Sequence, residues 1–208
     1  MAGAQRLERR QAVSGHKRAL ILEAARKVFE QEGLDGASLR AIASEAGYTP
    51  AALYFHFDSK EAIYAEVLRA SIARLQEEVE GAVAKTRLPA ERLRAAAMAF
   101  FDFYAGNPRD LDLGFYLFRG GMKPHGLGKE RDRQLNAALA SALQSISDAA
   151  EDLGARKEDA RMLTVDTFAH AAGLLLLAHT HRIRMFGASA RDLMTRYVED
   201  RIGRLKGR

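Results

Sequence analysis

Seven side chains between positions 48 and 60 carry the chemistry that stands out in this chain: Tyr48, Thr49, Ala51, Ala52, Tyr54, His56 and Lys60. They lie too close together for all of them to be inside a core. Hydroxyl, imidazole and ammonium groups suit phosphate oxygens. Small residues at Ala51 and Ala52 would let a backbone approach the floor of a groove. This is chemistry of binding rather than of bond making.

The elements that position these residues can be read from caps and spacing. Ser38 is a good N-cap, and Leu39, Ile42, Ala43 and Ala46 form one apolar helical face. Gly47 permits the positive φ that stops a helix. Thr49-Pro50 restarts one, with Thr49 as N-cap and Pro50 at the first helical position. That second helix ends in Tyr54-Phe55-His56-Phe57, and Asp58 with Glu61 reads as a capping box opening the next. Helix, Gly-containing turn and short second helix make a helix-turn-helix, whose second helix can enter a DNA major groove. Two short helices around a glycine also occur in helical proteins that touch no DNA, so the pattern alone leaves both readings open.

Upstream, a helix is expected from about Lys17 to Glu32. Its stripe of Leu20, Ile21, Ala24, Ala25, Val28 and Phe29 would hold the two shorter helices. Leu39, Ile42, Leu53, Phe55 and Phe57 are expected to complete that core.

The block AGYTPAALYFHFDSKEAIY resembles the TetR family of bacterial transcriptional regulators, in the pattern A-G-x-[ST]-x-x-x-[LI]-Y-x-[HY]-F-x-[ST]-K-E-x-[LI]. The preceding LILEAARKVFEQEGLDGASLRAIA resembles that family's first helix and the entry to its second. The resemblance covers about residues 17 to 65. It implies that Thr49, Pro50, Ala51 and Ala52 face bases, that Tyr54, His56 and Lys60 meet phosphates, and that Ser38 and Arg40 form a further backbone clamp. Tyr48 could serve either role. The recognition helix has no Arg, Asn or Gln, so bidentate base readout of the usual kind is missing. Contacts with thymine methyls, a Thr49 hydrogen bond and shape readout are expected instead.

The chain has 208 residues, 48% of them apolar, a net charge of +5 and no cysteine. That allows a substantial core and excludes disulfide and thiolate chemistry. No apolar leader is visible, and the longest strongly apolar run, Ala171 to Ala178, is well short of the roughly 20 residues of a membrane span. A soluble, cytoplasmic protein without a membrane partner is expected. Residues 1–16 are expected as a basic, disordered arm. Over residues 1–18, Arg6, Arg9, Arg10, Lys17 and Arg18 stand against the single acid Glu8. Such a stretch reads equally as a solubilising tail or as an arm following DNA.

The expected fold is all-α with about nine helices: a helix-turn-helix domain over 17–62 and a helical domain over 63–208. A fourth helix from Asp58 to about Ala84 connects the two. Further helices are expected over about 90–105, 108–118, 129–153, 157–186 and 189–205. No strand–turn–helix glycine fingerprint is present, which argues against a nucleotide fold.

Phe100, Phe101, Phe103 and Tyr104 point around more than half of one helix, so that helix must be apolar on several sides. Ordinary packing or a pocket wall would satisfy this. Apolar aromatic walls with few polar groups are usual in small-molecule sites. With the family's effector-binding domain in mind, the expected lining is Phe100, Phe101, Phe103, Tyr104, Phe115, Tyr116, Phe118, Met122, His125, Met162 and Phe168. His170, His179 and His181 lack the i, i+4 spacing of a helical metal pair, so no metal and no cofactor is expected. The last two helices carry apolar stripes that could bury within one subunit. The family's habit of dimerising there assigns Leu175, Leu176, Leu193, Tyr197 and Ile202 to a homodimer interface.

The resulting expectation is a ligand-responsive DNA-binding regulator, most simply a repressor released from a pseudo-palindromic operator by a small apolar or aromatic effector. An all-helical enzyme or a protein-interaction module with a vestigial head is the alternative. No Ser–His–Asp constellation and no placed carboxylate pair supports an enzyme.

Overall fold

A computed structural model describes residues 2–114 and 126–207. Among the described residues there are nine α-helices, a short 3₁₀ helix at Arg182–Phe186, and no strand. The helices are α1 (Ala2–Gly36), α2 (Leu39–Ala46), α3 (Pro50–Tyr54), α4 (Lys60–Val83), α5 (Pro89–Gly106), α6 (Pro108–Gly114), α7 (Lys129–Asp152), α8 (Lys157–His179) and α9 (Ala190–Lys206). They divide into two compact units. The first comprises Met1–Ala70 with Asp112–Leu135, and the second Ser71–Leu111 with Asn136–Arg208.

The expected arm over 1–16 differs in the structure, where α1 is helical from Ala2. Ala, Gln, Arg, Leu and Glu favour a helix and no proline interrupts them. The regular part of α1 is broken at Gly33, where φ is 71° and ψ 179°. Its buried stripe is Ile21, Ala24, Ala25, Val28 and Phe29. Leu20, expected in that stripe, is exposed, because one residue before Ile21 turns 100° away from the buried face.

The local signals of the helix-turn-helix are present as chemistry. Ser38 Oγ accepts the Ala41 N–H at 3.1 Å, and Thr49 Oγ1 accepts that of Ala52 at 3.3 Å. Gly47 sits at φ 70°, ψ 28°, and the next N–H, that of Tyr48, closes back to the Ala43 carbonyl at 2.8 Å. A Cβ at position 47 would meet no neighbour, so only backbone strain opposes it. Gly47→Ala is therefore expected to cost about 1 kcal/mol, read as a lower urea midpoint at unchanged slope.

Helix α4 is capped by Ser59, whose Oγ accepts the Ala62 N–H at 3.1 Å, not by the expected Asp58. The cap needs its side chain one residue before the first helical turn, and α4 begins at Lys60. The first unit extends along α4 to Ala70 because Ile63, Tyr64, Val67 and Leu68 are buried there. Tyr64 stacks edge-on against Phe29, with ring centroids 4.8 Å apart, and donates its hydroxyl to the Leu113 carbonyl at 2.8 Å.

In the second unit, α5 packs on α8 and α9. Exposed ion pairs Arg191–Asp102 and Arg94–Glu199 join α5 to α9 at the surface. Helix α8 stops at His179, seven residues before the expected end. Thr180 turns its hydroxyl back to the Leu176 carbonyl at 2.7 Å, and His181 adopts φ 57°. By length and composition α8 is apolar enough to cross a membrane. Its Ala160, Thr167, Ala171, Leu174 and Leu175 are buried, which packs one side of it into this unit.

Candidate nucleic-acid interface

Helix α3 is anchored by Leu53 and by Phe57 just beyond it, both buried. With that side held, Thr49, Pro50, Ala51 and Tyr54 are exposed, Ala52, Tyr48 and His56 are half-buried, and Ser38 and Arg40 at the start of α2 are exposed. The first unit thus brings the expected contact residues onto its accessible surface around one helix. Phe55 departs from expectation. Placed in the core by its apolar character, it is 88% exposed. Leu53 and Phe57 are four apart and share a face; Phe55, midway between them, points away.

Lys60 is not a free tether. Its Nζ donates to the Ala37 carbonyl at 2.9 Å, which ties the start of α4 to the residue before the Ser38 cap. Arg18, counted from sequence among the basic residues near the N-terminus, is turned toward α3 and α4. Nη1 donates to the His56 carbonyl at 2.8 Å, Nη2 lies 3.2 Å from Glu66, and the guanidinium sits 4.2 Å above the Phe57 ring. No spacing rule pairs a position in α1 with two that lie 38 and 48 residues away.

Residues 21–67 match the family described as bacterial regulatory proteins, tetR family. Over these residues the chain is similar to the TetR family. The HTH-type transcriptional activator FasR of Mycolicibacterium smegmatis is 40% identical over 87 residues, which is 42% of this chain and 40% of that protein. The HTH-type transcriptional repressor KstR2 of Mycobacterium tuberculosis is 37% identical over 86 residues, 41% of this chain and 43% of that protein. The chain therefore spans about two fifths of the length of these curated relatives. One of these relatives is described as an activator and the other as a repressor. The fold likeness extends further. The FadR transcriptional regulator from Bacillus subtilis, solved in complex with stearoyl-CoA, matches with TM-score 0.67 at 17% identity, over 88% of this chain and 96% of that one. A putative transcriptional regulator from Pseudomonas aeruginosa matches with TM-score 0.72 at 22% identity, over 91% and 90%.

In the second unit the expected ligand wall is largely core. Phe100, Phe101, Phe103 and Tyr104 are all buried. Phe100 meets Tyr104 and Phe168 edge-on, at 5.2 and 5.8 Å between centroids. Burial, with Asp110 nearby, pushes the Tyr104 phenol well above its ordinary range. Phe103 borders a groove between α4 and α5. Phe168 faces two ways: behind it lies Phe100, and before it a groove of about 380 Å³ between α7 and α8. Leu139, Ala140, Leu143, Val165 and Phe168 line that groove, with Arg161 among them. Met162, expected as a wall, instead points outward and is half-exposed, on a different side of α8 from Phe168. Phe115, Tyr116, Phe118, Met122 and His125 lie outside the described residues.

The expected interface residues separate by depth. Leu175 and Ile202 are buried inside the protomer, because α5, α8 and α9 pack on one another through those faces. They cannot form the outer layer of an interface. Leu176 is 59% exposed, and Leu193 and Tyr197 are half-buried. Met162, Val165, Ala169, Gly173 and Leu176 recur every three or four residues and make an exposed row along α8.

His170 stacks on Tyr197 at 4.1 Å, with Arg201 over the other ring system at 5.0 Å. Burial, then the Arg201 charge, holds the imidazole below its ordinary range. Among the described residues no three His, Asp or Glu side chains come together as metal ligands.

Proposed function

We propose that the protein is a dimeric, ligand-responsive transcriptional regulator that reads a pseudo-palindromic operator with α3 of each subunit. The observation that carries this is the exposed Thr49, Pro50, Ala51 and Tyr54 face of α3 above its buried Leu53 and Phe57 anchors. Two such helices in successive major grooves require half-sites about 34–36 Å apart, or a multiple. Such a protein works where the chromosome is, in the bacterial cytoplasm. A non-catalytic role agrees with the regulators it resembles. Repression is the simplest mode, since a dimer on an operator blocks access to the promoter.

The second copy meets the α8 row of Met162, Val165, Ala169, Gly173 and Leu176, with Leu193 and Tyr197 of α9 at its margin. The effector is small and apolar or aromatic, and it occupies the α7–α8 groove with Phe168 as its inner wall. Acyl thioesters, the class bound by the B. subtilis FadR structure, are the first compounds to titrate. Release requires that effector and operator prefer different conformers, and the coupling is reciprocal.

A gel shift with the intergenic DNA beside its own gene tests the reading directly: a discrete shift that survives competitor DNA supports it, and its absence removes it. Lys60→Ala sharpens the test. Binding to all duplexes is expected to weaken, and the slope of log K against log salt to flatten by about 0.9 for one lost phosphate contact. Weaker binding at unchanged slope would leave Lys60 only its tie to the Ala37 carbonyl.

A further inference from the structure

We propose that Arg18 is a positioning residue for the DNA-reading helix, acting through the His56 carbonyl and the Phe57 ring rather than by touching DNA. The inference rests on the DNA-binding reading above.

Helix α3 has five residues and a single side-chain cap, too few to hold its own orientation. Leu53 and Phe57 hold it from beneath. Its exit, His56 to Ser59, is non-helical, so helical hydrogen bonding does not fix the backbone there. Arg18 holds that exit with three interactions from one plane. Nη1 donates to the His56 carbonyl at 2.8 Å, and the plane covers the Phe57 ring at 4.2 Å. Nη2 pairs with Glu66 in α4 at 3.2 Å. A planar fork can hold two acceptors and stack at the same time, which a lysine ammonium cannot.

Glu66 extends the tie. Its Oε1 also accepts from Arg69 Nη1 at 2.9 Å, and Arg69 Nη2 donates to Gln134 of α7 at 3.3 Å. Within the first unit a polar chain therefore runs from α7 through α4 and α1 to the exit of α3. His56, which the DNA-binding reading places against phosphate, is held through its own backbone. The basic character of the N-terminal stretch is at this position an internal strut.

The test measures fluorescence anisotropy of a duplex that the wild-type protein selects from its own intergenic DNA. It is run over a salt series, at a temperature where circular dichroism shows each variant folded. Arg18→Ala and Arg18→Lys are both expected to bind about tenfold more weakly, with the salt slope of the wild type. Glu66→Gln makes the protein more positive, so a field effect alone would tighten binding; a loss at unchanged slope isolates positioning. Glu66→Gln also carries the test if Arg18→Ala does not fold. Three results would overturn the proposal: a slope reduced by about 0.9 in Arg18→Ala, which makes Arg18 a phosphate contact; full recovery in Arg18→Lys, which makes charge sufficient; or wild-type affinity in Glu66→Gln. If the wild-type protein selects no duplex at any salt, the DNA-binding reading fails first and takes this inference with it.

Discussion

Phe100→Ala is expected to destabilise the second unit by about 3–5 kcal/mol. Phe100 is 1% exposed and lies where α5 meets α8. Truncation removes the transfer free energy of the ring and leaves a cavity that the surrounding helices can only partly close. It also breaks edge-on contacts with Tyr104 and Phe168, each worth about 0.5–1.5 kcal/mol beyond burial. Urea unfolding followed by circular dichroism reads this as a large fall in midpoint. Phe55→Ala is the matched control. The same truncation at a side chain 88% exposed is expected to change stability by no more than about 0.5 kcal/mol. Equal effects at the two positions would mean that the aromatic cluster is not core.

Leu176→Glu and Leu175→Ala are expected to fail in opposite ways. Leu176 stands on the exposed row of α8, so a carboxylate there meets water in a single protomer and apolar surface in a dimer. The variant is expected to sediment as a folded monomer with a near-native unfolding midpoint. Losing the second reading head removes avidity, so operator binding should weaken by about 10²–10⁴. Leu175 is fully buried. Its truncation is expected to cost the protomer about 2–5 kcal/mol and to leave self-association intact wherever the chain is folded. Sedimentation velocity beside urea titration separates the two. A Leu176→Glu protein that remains dimeric would move the interface off α8.

The helix-turn-helix was legible because its signals are local. Ser38, Gly47 and Thr49-Pro50 act on backbone groups within three or four residues, so type and spacing suffice to place them. Element boundaries erred where two candidates competed for one task. Asp58 and Ser59 both suit a cap, and α4 used the one that its first turn placed correctly. The end of α8 was missed because an apolar run continues beyond it, while Thr180 and His181 stop the helix by side-chain bonding and backbone conformation.

The chain by itself determined its helical class, the caps and turn of the helix-turn-helix, and the apolarity of α5 on several sides. Each of these follows from interactions within one helical turn or from periodicity along one helix. Only the tertiary structure decided which side of each helix is covered, because burial depends on elements brought in from far along the chain. It set Phe57 inside and Phe55 outside, Leu175 inside and Leu176 outside, although each pair has the same chemistry. It made the aromatic set around Phe100 a core that presents only part of itself, through Phe168, to a groove. And it turned Arg18, in sequence one of several basic residues near the N-terminus, onto the exit of α3.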